Sequence, residues 1–276
     1  MTDRIYTQAD LAYITSKSNE INIFSTALGV SATSVAAAIA KENSRYNQNK
    51  FLNDTQDWYA TNSLTSHYAV TSASTAAIQA GWADRPVGVG NLIANASVID
   101  MGISNIKVAT AVKLLNDYYV KYPNDPLNLN EFKGKYQNIV TLLSESTGND
   151  LTVKLSVLMI KEAQDFYTTP KVNAQGQALN ISAVDWAAMR QEEKDGLMVM
   201  YFTRGEKSMT DARTANVAAN GFFNPRLGDG ESGGLWTVQN ALPIGQAIGL
   251  AGYGQLPING LTTEADTTPI FVAQPK

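Results

Sequence analysis

Glu42 lies within VAAAIAKENSRYN, residues 35–47, at a step where an apolar side chain is expected. Counted along a helix from Val35, the inward stripe runs Val35, Ala38, Ile39 and then Glu42. The spacing puts this glutamate near the end of its helix. Two effects there oppose a carboxylate's charge: burial strips its hydration, and the open carbonyls of a helix C-terminus carry partial negative charge. A glutamate that keeps its proton near neutral pH is what general-acid cleavage of a glycosidic bond needs. A plainer reading stands beside it. Glu42 can reach solvent from the helix end, or pair with Lys41 or with Arg45 on the next turn.

Other chemistries are bounded by composition. The chain of 276 residues is 44% apolar and 17% charged, suited to a folded core and too apolar for disorder. A net charge of −4 without a basic cluster gives no general attraction to nucleic acid. The absence of cysteine excludes a disulfide framework, thiol catalysis and thiolate metal sites. The only histidine, His67 in LTSHYAV, lacks the glycines of a nucleophile elbow and reads as a surface or packing residue. No cluster has metal-ligand spacing, so neither metal nor cofactor is expected, although loose carboxylates such as Asp229 and Glu231 leave calcium open. The glycines of 228–234 lack the strand and the Gly-Lys-Ser/Thr of a phosphate loop. No stretch reaches the ~18 apolar residues of a membrane span, and MTDRIYTQAD carries no apolar signal-peptide region.

The elements that must hold Glu42 read mostly as helices. The first starts at Thr7 in TQADLAYITSKSNEINIF, with Asp10 in the capping-box place and Leu11, Ile14 and Ile21 on one face. Gly29 lets the chain turn, and Ser31 caps the alanine-rich helix that follows. Between Asn47 and Gly90 the text is polar and β-branched, with room for a short helix at Ala73–Ala80 and a loop at DRPVGVGN. Helical spacing returns with Val108, Val112, Leu115 and Tyr119, until YPNDPLNLN stops it. A further helix runs through DLTVKLSVLMIKEAQDFY, and the next starts near Ser182 and terminates at Gly205. NPRLGDGESGGLW is loop, and TVQNALPIGQAIGLAG is a last helix weakened by Pro243. This predicts a mainly α chain, with one helical domain over residues 1–255 and a small irregular or β segment between the Glu42 helix and the later helices. An extended tail follows at 256–276.

GVSATSVAAAIAKENSRY resembles the catalytic helix of goose-type lysozymes and lytic transglycosylases, which ends in a Glu-Ser pair with the glutamate as acid. Here Asn43 separates Glu42 from Ser44. The chain is more similar to the lysozyme-like effectors associated with bacterial type VI secretion. In that group the glutamate helix precedes a stretch like NDIGPGNI that leads into a helix, then a YYKQG-like helix end and a PGDGG loop. This sequence offers VIDMGISNIKVATAVKLL at 98–115, MYFTRGEKS from Met200 and LGDGESGGLW from Leu227, in that order. Ile103 and Ser104 stand where the group has its Gly-Pro-Gly turn, and Phe202 replaces the second tyrosine.

The resemblance implies a lysozyme-like helical domain that cleaves the β-1,4 bond between N-acetylmuramic acid and N-acetylglucosamine, with Glu42 as general acid and Ser44 beside it. Asp100 then faces Glu42 across a cleft, or else caps a helix beginning near Ser104. Asn105 donates to a sugar N-acetyl group, or is a second cap. Asp54 and Asp57 are candidate water-activating bases, or belong to a solvated loop; Trp58 and Tyr59 stack on sugar rings or pack in the core. Tyr201 bonds the acid or the substrate, or is core text in LMVMYF. Arg204 and Lys207 meet peptide carboxylates of the wall, or form a solvated helix end. The implied partner is peptidoglycan. The implied setting is an effector made in a bacterial cytoplasm and exported by a secretion machine to act in a target cell's periplasm, with an immunity protein to cover its cleft. The rival expectation is a catalytically inactive lysozyme-like structural or adaptor component of a secretion system or phage particle.

Overall fold

The capping box expected at Thr7 forms. Thr7 Oγ1 accepts from Asp10 N at 3.2 Å, and Thr7 N donates to Asp10 Oδ2 at 2.9 Å. In this computed structural model the described residues are 6–48, 104–133, 150–169, 189–220 and 233–250. Short pieces are added at 86–87, 94–95, 100–101, 143, 171–172, 178–179, 186, 227 and 253–254. Helix accounts for 77% of the described residues, in eight segments, so the chain is mainly α. The tail 256–276, the segment 73–80 and Ser182 lie outside the described residues.

Where one opening helix was expected there are two, α1 (Gln8–Ser16) and α2 (Ser18–Leu28). Lys17, at φ −108° and ψ 8°, breaks the ladder between them. Ile14 and Ile21 are nevertheless fully buried, as the spacing required. α2 ends at Gly29 in a left-handed residue, with Val30 N bonded to Ser25 O at 3.0 Å and Gly29 N to Thr26 O at 3.2 Å. Ser31 Oγ then accepts from Ser34 N at 3.4 Å, the expected cap of α3 (Ala32–Gln48).

Short antiparallel pairs follow: β1 (Pro86–Val87) with β2 (Ala94–Asn95), and β3 (Asp100–Met101) with β4 (Ile106–Lys107). β4 runs directly into α4 (Val108–Lys121). The stop after α4 is built by Asp125, whose carboxylate accepts from Leu129 N at 2.7 Å, Asn130 N at 3.1 Å and the Tyr118 hydroxyl at 2.8 Å. This is the side-chain-to-backbone turn chemistry that short carboxylates favour.

α5 is Leu151–Thr168, followed by the unforeseen pair β5 (Lys171–Val172) and β6 (Ala178–Leu179). α6 (Gln191–Asn220) breaks at Gly205, where the sequence placed a terminator: the residue is non-helical at φ 77° and ψ 162°, and a second helical stretch follows across the kink. That backbone region is open essentially to glycine alone. Beyond the break, Arg213 is 3% exposed, lies 3.4 Å above the Phe166 ring and donates from Nη1 to Phe166 O at 3.3 Å. Gly205→Ala meets no neighbouring atom and should still destabilise by about 1–3 kcal/mol through its backbone alone. Urea unfolding with an unchanged m-value checks this.

The expected last helix is also two, α7 (Gly234–Gln239) and α8 (Ala241–Ala247), parted at Asn240. Pro243 falls in the first turn of α8, where its missing N–H costs nothing. Asn240 instead accepts from Tyr6 N at 3.0 Å. After α8 the chain turns back, and Gly254 N donates to Glu192 Oε1 at 3.1 Å.

Two compact units result, Met1–Lys41 with Met159–Lys276, and Glu42–Leu158. In the first, Ile14, Ile21, Ile39, Leu197, Val199 and Ile244 are fully buried. The second centres on Leu115, Tyr118, Leu127, Leu129 and Leu155.

Candidate active site

α3 is not striped. Val35, Ala36, Ala37, Ala38, Ile39 and Ala40 are all fully buried, so the helix is enclosed on every side, as an apolar helix must be. Enclosure continues through its polar end: Lys41, Glu42, Asn43 and Ser44 are 2%, 3%, 4% and 6% exposed. The helix also runs further than expected, to Gln48. More than a turn therefore follows Glu42, and the helix-end field, confined to the last turn, does not reach it.

Asn105 is brought to Glu42 by the β3–β4 hairpin. Its Nδ2 donates to Glu42 Oε2 at 3.2 Å. The turn requires a positive φ of 51° at Asn105, a conformation asparagine tolerates better than most residues. The hairpin also corrects both capping expectations. α4 begins at Val108 after Lys107, with no side-chain cap. Asp100 is a strand residue paired across the hairpin with Lys107. Ser104, beside Asn105, is buried, and its hydroxyl accepts from Ser156 of α5 at 3.4 Å.

Two substitutions separate the backbone role of Asn105 from its amide. Asn105→Gly keeps the turn and removes the donor, and should cost about 1 kcal/mol. Asn105→Val adds a β-branched residue at positive φ and should cost about 2–3 kcal/mol. Chemical denaturation of both reads the difference.

Glu42, Ser44 and Asn105 belong to the unit Glu42–Leu158, while Tyr201 and Arg204 belong to the other. Asp54, Asp57, Trp58, Tyr59 and His67 lie outside the described residues. Tyr201 is 4% exposed, its ring 5.1 Å from that of Phe166. Burial, then the charges of Glu162 and Glu206, push its ionisation above the usual tyrosine range, so it stays an O–H donor. Arg204 is exposed immediately before the Gly205 break. Lys207 pairs with Asp211 at 2.5 Å on an exposed helix face.

Gly233 and Gly234 of the glycine-rich stretch have a packing role. Gly233 sits at φ 78°, and a Cβ there would meet Lys41 Cδ and Val199 Cγ1, each at 2.9 Å. A Cβ on Gly234 would meet Met200 Sδ at 2.7 Å. These glycines let α7 approach α6 and accommodate the stem of Lys41.

Lys41 and Asp195, both buried, escaped the sequence reading. Lys41, read only as a surface partner for Glu42, donates from Nζ to Thr203 Oγ1 at 3.0 Å. Asp195 is 0% exposed in α6. Its one signal is position, at the head of the apolar run DGLMVMYF. Among the described residues no group of three or more His, Cys, Asp or Glu side chains is placed to hold a metal ion, and no helix is long and apolar enough to cross a membrane.

No family model matches the chain, and no curated protein or solved structure matches it.

Proposed function

We propose that the chain is a peptidoglycan glycosidase, a muramidase with a lysozyme-like helical body in which Glu42 is the general acid. The observation that carries this is Glu42 itself, 3% exposed in an enclosed helix with an amide donor on Oε2. In this reading Glu42 gives a proton to the leaving oxygen of the bond between N-acetylmuramic acid and N-acetylglucosamine. Once that proton leaves, the carboxylate is the stronger acceptor, and the Asn105 bond becomes charge-assisted. Asn105 serves the acid directly in this reading.

Water activated by Asp54, Asp57 or Asp100 would leave a reducing sugar. Attack by the muramic 6-hydroxyl would leave an anhydro product, which is lighter by one water. Arg204, exposed and cationic, suits the peptide carboxylates of the wall. Ser44 and Tyr201 are offered as substrate contacts on the resemblance alone. The biological setting in this reading is an antibacterial effector exported by a secretion machine, with an immunity protein as partner.

The same burial favours a second reading, an inactive lysozyme-like structural or adaptor component. A glycosidic oxygen must come within hydrogen-bonding reach of the acid, and 3% exposure leaves little carboxyl surface to meet it. Incubation with purified sacculi decides between them. The enzyme releases soluble muropeptides, and their masses separate hydrolysis from transglycosylation. Intact sacculi after treatment with folded protein favour the adaptor.

A further inference from the structure

Among the described residues of the first unit Asp195 is the most completely enclosed acid, and its partners come from three segments of the chain. Gln191 Nε2 donates to Oδ1 at 2.7 Å and the Tyr253 hydroxyl to Oδ2 at 2.6 Å. The Ser34 hydroxyl donates to Oδ1 and the Thr33 hydroxyl to Oδ2. Thr33 and Ser34 are in the first turn of α3, so the carboxyl joins the start of that helix to α6 and to the chain after α8. Among the described residues no cation is bonded to it. Tyr253 is its titratable neighbour, held neutral by burial and by Asp195 itself. Glu192, three residues before Asp195 in α6, is the other carboxylate that acts on Tyr253.

Three of the four partners are hydroxyls, which can donate or accept. The ionised carboxylate takes all four as donors. The protonated acid can give its hydrogen to Thr33, which then turns its own toward Ser31 Oγ, 2.7 Å away and free to act as either donor or acceptor. Neither protonation state strands a buried partner, yet only the ion carries a charge into the core.

We propose that Asp195, Thr33, Ser34 and Tyr253 form a proton-operated latch, in which acidification seats the first turn of α3 more firmly on α6. Burial is the largest influence on Asp195 and pushes its ionisation to higher pH, while the four donors pull the other way. The folded value is raised above that of the unfolded chain. The stabilisation is therefore fully present below the ordinary aspartate value and is lost as pH rises through the folded one.

The test compares thermal midpoints of the full chain, wild type against Asp195→Asn and Tyr253→Phe, between about pH 4 and pH 8. Asparagine cannot titrate, so Asp195→Asn should gain several degrees relative to wild type as pH rises. Tyr253→Phe removes a donor to the ion and should move the wild-type decline to higher pH. Carbon-13 NMR of the Asp195 carboxyl in wild type should show titration above the ordinary aspartate range, a measurement that stands even where Asp195→Asn does not fold. A carboxyl titrating at or below that range overturns the latch, as does a midpoint difference that is flat or inverted with pH. Release of muropeptides plays no part in these readings, so the glycosidase can fail while the latch survives.

Discussion

Glu42→Gln is expected to reduce muropeptide release from purified sacculi by about 10²–10⁴-fold, the usual worth of a general acid. Glutamine has the same shape, and its carbonyl can still accept the amide of Asn105 that now reaches Oε2 at 3.2 Å. The fold should survive, with a thermal midpoint within a few degrees of wild type. Loss of activity with retained fold then belongs to the proton. Wild-type activity in Glu42→Gln would remove this residue from the chemistry and send the search to another acid.

Asp195→Ala should have the largest effect on stability. It strands the hydroxyls of Thr33 and Ser34 in the core and takes the acceptor from the half-buried Tyr253 hydroxyl and the exposed Gln191 amide. Each buried group left without a partner costs about 1–3 kcal/mol, so a total of about 4 kcal/mol is expected after partial relaxation. That corresponds to about 10 °C in the thermal midpoint of a chain this size. Urea denaturation with the midpoint shifted and the slope retained would bear this out. A change under about 1 kcal/mol would show that water replaces the carboxylate without penalty.

Local signals in the sequence were read well where one short stretch decides the outcome. The Thr7–Asp10 box, the left-handed Gly29 and the Ser31 cap involve residues within a few positions of one another, and each forms. Helix breaks were less legible. Lys17 and Asn240 interrupt helices without being breakers by type, because the packing of neighbouring segments overrides weak propensity. Around Glu42, periodicity revealed a misplaced acid but misjudged its surroundings. A run of alanines looks one-sided when only Val35 and Ile39 are weighed, although small side chains permit enclosure on every side. The contacts of Asn105 and Asp195 were beyond sequence reasoning, since they join residues 63 and more than 160 positions apart.

The return of the chain after α8 bears on how the protein can be handled. Tyr253 and Gly254 are stitched to two acids near the start of α6, the tyrosine to Asp195 and the glycine to Glu192. A recombinant product shortened to residue 252 would lose both stitches and open the deepest carboxyl of its unit to water. Trimming for crystallisation, or insertion of a protease site ahead of a purification handle, should leave this pair intact.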